Sequence, residues 1–68
     1  MMNVNKLKGR IVEKGMNIDS LAREMGVNKS TLYRKIASDG DCLTLKDADS
    51  IVKILDLTKD EALAIFFD

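Results

Sequence analysis

Apolar residues recur along this chain at intervals of three and four, the spacing that lays them on one side of an α-helix. Val4, Leu7 and Ile11, with Val12 beside them, mark a first helical segment from about Val4 to Lys14. Gly15 supplies a stop, because it accepts left-handed backbone without a Cβ clash. Ile18, Leu21, Ala22 and Met25 form the inner face of a second segment, with Asn17 as its N-cap and Asp19 near the positive end of its dipole. Leu32 and Ile36 are the core positions of a third, capped by Asn28. The turn-rich run SDGDCL at 38–43 leads to a fourth segment, whose stripe is Leu45, Ala48, Ile51, Val52 and Leu55. Capping-box patterns, Thr44 to Asp47 and Thr58 to Glu61, open the fourth and fifth segments. Leu63, Phe66 and Phe67 supply the apolar and aromatic side chains of the fifth. The pattern predicts one all-α domain over residues 1–68, a compact bundle of five helices.

The junction between the second and third segments is the most specific part of the pattern. Over residues 16–38 it places a small residue (Ala22), a left-handed Gly (Gly26) and an apolar plug (Val27) at the spacing of a helix-turn-helix. Such a motif carries its second helix so that the front end can enter the major groove of DNA.

Composition narrows the alternatives. Sixty-eight residues with one cysteine and no histidine exclude an intramolecular disulfide and a Cys/His zinc site. Cys42 reads as a small, half-buried apolar residue of a reducing compartment. The N-terminal MMNVNKLKGR is polar and basic with no apolar run behind it, so neither a signal peptide nor a membrane span is expected. The net charge of zero hides a segregation. Residues 1–38 hold eight basic against three acidic side chains, and residues 39–68 hold three against eight, giving plus five and minus five. A basic half joined to an acidic half points to one face for a polyanion and one turned away from it.

Catalysis finds little support. Without histidine the commonest acid/base group is missing, and neither the serines nor Cys42 have an imidazole partner. The pairs Asp39/Asp41 and Asp47/Asp49 lack the ligand ladder of a calcium loop and read as turn and helix-dipole residues. No enzyme activity, cofactor or metal is expected.

The run LAREMGVNKSTLYRKI resembles the helix-turn-helix of phage repressors and Cro-like regulators, the lambda-repressor-like family. It is most similar to short Cro proteins of phages, which share an STLxRKL-type run, here Ser30 to Ile36, and a terminal aromatic pair, here Phe66-Phe67. The resemblance extends from Leu7 to Phe67. It implies a five-helix fold, double-stranded DNA as partner, and a recognition helix beginning at Lys29. Lys29, Ser30 and Arg34 would face base edges, in keeping with their share of the side opposite Leu32 and Ile36. Thr31 and Lys35 would contact the backbone, Tyr33 a thymine methyl or a phosphate, and Asn17 and Asn28 the flanking phosphates. Solvated charges at Lys29 and Arg34 and a merely half-exposed Tyr33 are the plain alternatives. Arg10 and Lys14 read as surface charges within reach of the backbone. The chain departs from the family at Ile18, where Gln usually braces a phosphate and a recognition-helix side chain, and in its acidic loop at Asp39 and Asp41.

The expected function is that of a Cro-like transcriptional repressor of a phage or prophage, acting in the cytoplasm of a bacterial host. A dimer on a palindromic operator is expected, joined through Leu63, Ile65, Phe66 and Phe67; the competing reading is that both Phe simply close the core. The alternative is a helix-turn-helix relic that binds and modulates a larger repressor, a reading that overall neutrality, Ile18 and the acidic loop favour.

Overall fold

The computed structural model describes residues 2–67 and contains five helices: α1 (Val4–Glu13), α2 (Ile18–Met25), α3 (Lys29–Ala37), α4 (Leu45–Leu55) and α5 (Lys59–Phe66). Four begin at the expected cap, and α1 begins at Asn3, which the sequence pattern does not single out. Asn3, Asn17, Asn28, Thr44 and Thr58 all accept a hydrogen bond from the first turn of the helix they precede. Thr44 and Asp47 close their box reciprocally, as do Thr58 and Glu61. Asn17 forms a third box with Ser20, whose Oγ accepts from the Asn17 N–H at 2.9 Å while the Asn17 side chain accepts from the Ser20 N–H at 2.8 Å.

The helices enclose one core, in which Leu7, Leu21, Leu32, Ile51, Leu55 and Ile65 are fully buried. Each such side chain contributes about 1.5–3 kcal/mol relative to exposure. α2 packs on both α3 and α4, and α1 packs on α5. The N-terminal residues close the bundle: the Met2 N–H donates to the Asp39 carbonyl at 3.1 Å and the Asn3 N–H to the Ile65 carbonyl at 2.7 Å. Met2 and Leu57, which the periodicity does not mark, are also buried.

The structure corrects several expectations. Val12 is 72% exposed and Leu45 85% exposed, so neither belongs to the core stripe of its helix. Val12 sits one position off the line through Leu7 and Ile11, and Leu45 is the first residue of α4, ahead of the turn that meets the core. Cys42 is exposed rather than half-buried. Phe66 is half-buried against the core while Phe67 stands out in solvent, so the aromatic pair divides. Ile65, expected on a dimer surface, is 1% exposed. One residue apart on a helix is a 100° rotation, so residues 65, 66 and 67 do not share a face.

Candidate nucleic-acid interface

The turn that sets α3 against α2 follows from Gly26, whose φ of 76° is left-handed. Its N–H donates to the Arg23 carbonyl at 3.1 Å, and the Val27 N–H to the Ala22 carbonyl at 3.0 Å, closing the end of α2. Asn28 then starts α3, accepting from the Ser30 N–H at 2.8 Å. Leu32 and Ile36, 0% and 4% exposed, pin α3 to the core. That anchoring leaves Lys29, Ser30, Tyr33 and Arg34 on the outward side, all exposed, with Thr31 and Lys35 half-buried on the flanks. The expected base-contacting residues Lys29, Ser30 and Arg34 therefore lie on one surface, together with Tyr33. Arg34 has no ion-pair partner among the described residues. Asn17 and Asn28 are exposed at the starts of α2 and α3, with their side-chain oxygens engaged in capping and their amide N–H groups open to an acceptor.

An acidic side chain missed by the sequence reading shares this surface. Asp19, one residue into α2, places Oδ2 3.7 Å from Lys29 Nζ. The same carboxylate pushes the Tyr33 phenol above its ordinary value of 10.0, because ionising it would set two negative charges side by side. Ile18, at the position where the family resemblance leads one to expect a bracing Gln, is half-buried against the core. The polar tie between the start of α2 and the start of α3 comes instead from its neighbour, Asp19. Its only signal in the sequence was an acid near a helix N-terminus, which is equally what the dipole favours.

Lys35 is differently placed from the other cations of α3. Its Nζ lies 2.7 Å from Asp47 Oδ2, with the two side chains only 23% and 12% exposed. Burial works to raise the Asp47 pKa, but hydrogen bonds from Lys35 and Thr44 outweigh it and hold the carboxyl below its ordinary value. Lys35 is thus committed to a carboxylate of α4, whereas Arg34 on the same helix has no such partner among the described residues. Arg10 is likewise engaged, with Glu13 on its own helix and with Glu61 of α5 at 3.0 Å. The charge segregation seen in the sequence is thus partly undone in space, since Asp47 and Glu61 from the acidic half meet cations of the basic half. Asp39 and Asp41 are exposed in the turn after α3.

α4 and α5, with the turn after α3, border an apolar groove of about 360 Å³. Leu45, Val52, Leu63, Phe66 and Phe67 line it, with Asp39, Asp41 and Asp49 among the polar residues around it. Among the described residues no helix is long and apolar enough to cross a membrane.

Searches of curated proteins and of solved structures returned no match to this chain. The family model of the Cro/C1-type HTH DNA-binding domain matches residues 6–68, which span all five helices from within α1 onward, and the chain belongs to that family of DNA-binding domains.

Proposed function

We propose that the protein is a sequence-specific transcriptional regulator, a Cro-like repressor of a phage or prophage, that inserts α3 into the major groove of double-stranded DNA. The observation that carries this reading is the outward row Lys29, Ser30, Tyr33 and Arg34 on a helix pinned from behind by Leu32 and Ile36. Lys29 and Arg34 donate to guanine O6 and N7, and Ser30 serves either a donor or an acceptor edge. Asn17, Asn28, Thr31 and Tyr33 take the flanking phosphates. Lys35 is set aside from that group because Asp47 holds it.

A single copy makes too few base contacts for a useful specificity ratio, so the working form is a two-fold dimer on a palindromic operator. Its surface is the α4–α5 groove, where Leu45, Leu63 and Phe67 are exposed, and its occupant is a second copy. Binding-site selection from a random duplex library, followed by mobility shifts on the selected duplex, tests the reading. Lys29→Ala and Arg34→Ala should each weaken binding by about 1–3 kcal/mol, and affinity should fall steeply with salt. Wild-type affinity in both variants would refute the assignment of α3.

The carboxylates around the groove favour a second reading, in which a basic segment of a larger repressor occupies it. Sedimentation at rising concentration separates the two. Self-association supports the dimer, whereas a persistent monomer without affinity for selected DNA supports the partner-binding module.

A further inference from the structure

Among the described residues Asp19 is the carboxylate paired with the outward row of α3. Its Oδ2 is 3.7 Å from Lys29 Nζ, and its charge is felt by the Tyr33 phenol one helical turn further on. Asp19 and Lys29 are 44% and 65% exposed, so the pair lies open to solvent and adds little to the stability of the fold. At a surface that approaches a polyanion, a carboxylate repels phosphate and also competes with phosphate for the nearest ammonium. Both effects weaken binding, a cost set against the helix-dipole stabilisation that an acid gains in the first turn of α2.

We propose that Asp19 is a specificity-determining residue that holds Lys29 toward the base edges and withholds it from phosphates. An ammonium has three donors, so Lys29 can keep Asp19 and still donate to a guanine in the groove. A phosphate, being an anion, competes with Asp19 for the same charge, so contact with the backbone weakens this pairing more than contact with a neutral base edge does. Binding to arbitrary sequence depends almost wholly on phosphate neutralisation, so the penalty falls mainly on the wrong DNA.

This inference depends on the DNA reading above, and the experiment keeps the two apart. Wild type, Asp19→Asn, Asp19→Glu and, as a charge-matched control on α5, Asp60→Asn are titrated against two probes. One is the duplex recovered by selection and the other is sonicated genomic DNA, each over a range of salt. Thermal unfolding of every variant verifies that it is folded. Asp19→Asn should bind genomic DNA about tenfold more tightly, with a salt slope steeper by about one counterion, and the selected duplex less than threefold more tightly. Asp19→Glu should restore most of the specificity ratio, and Asp60→Asn should leave the ratio unchanged. An equal gain on both probes, or a change no larger than that of Asp60→Asn, would overturn the role of Asp19 while leaving DNA reading by α3 intact. Failure of the wild type to bind either probe would overturn the DNA reading itself, and this proposal with it.

Discussion

Lys35 of α3 and Asp47 of α4 meet at 2.7 Å, and the same Asp47 carboxylate oxygen accepts the Thr44 N–H at 3.1 Å. One side chain therefore both caps α4 and ties it to α3. Removing either partner leaves a largely enclosed charge without its counterpart, a loss set by charge-assisted hydrogen bonds of about 1.5–3 kcal/mol. Asp47→Asn should lower the melting temperature by roughly 10 °C. Lys35→Met should also destabilise the fold, yet bind selected DNA better than Arg34→Ala at temperatures where both are fully folded. Calorimetry and mobility shifts measure the two halves of this prediction.

Acid should weaken the fold in a defined window. Asp47 and Glu61 both have folded-state pKa values below their ordinary 3.8 and 4.5, so their contribution is complete above those values. For Glu61 the leading cause is its hydrogen bond with the Thr58 backbone N–H, which favours the ionised form. The contribution is lost as pH falls through the lowered folded-state values, because the unfolded chain then binds protons more readily than the native one. Urea midpoints should be flat above about pH 5 and fall toward about pH 2. The Asp47→Asn/Glu61→Gln double variant should start lower and fall less steeply.

Two glycines should respond to the same substitution with opposite signs. Gly9 lies inside α1, and a Cβ there meets nothing within 4 Å, so Gly9→Ala should stabilise the protein by about 1 kcal/mol. Gly40 has φ of +83°, and an added Cβ would sit 2.9 Å from Met2 Cβ. Gly40→Ala should cost about 1–2 kcal/mol from its backbone conformation alone, with the clash in addition. Denaturant titrations of the two variants report both signs directly.

Tyr33 is the only tyrosine and the chain has no tryptophan, so tyrosinate absorbance reports this residue alone. Asp19→Asn should lower its pKa toward 10.0, since the carboxylate is the leading cause of the upward shift. A phenol titration unchanged by the substitution would show that the two side chains are apart in solution. The measurement needs no DNA.

The helices and their caps were legible because they follow from local rules: Thr44, Thr58, Asn17 and Asn28 announce where their helices start, and the 3.6-residue period announces which side each buries. Gly26 and Val27 were legible for the same reason, and with them the orientation of α3. The apolar stripes misled only at Val12 and Leu45, where hydrophobicity continued past the part of the helix that meets the core. Ile65 and Phe67 show a related blind spot, since adjacent apolar residues look alike in sequence and face different ways in a helix. The contacts around the site were illegible because they join separate elements. Lys35 and Asp47 are twelve residues apart, and nothing local distinguishes a cation bound for a phosphate from one bound for a carboxylate. Asp19 was visible only as a dipole residue, its relation to Lys29 and Tyr33 depending on the α2–α3 angle.

The bond from the Asn3 N–H to the Ile65 carbonyl joins positions near opposite ends of the domain. A ribosome delivers Asn3 first and Ile65 among the last residues of these five helices, so the bundle cannot close while it is being made. The helix-turn-helix and α4 emerge earlier than α5, whose arrival supplies the packing against α1. A message broken within the codons for α5 would therefore yield a polypeptide that keeps Lys29, Ser30, Tyr33 and Arg34 but lacks the Asn3–Ile65 bond and the α1–α5 packing. Closure of the bundle is thereby made conditional on complete translation of these five helices.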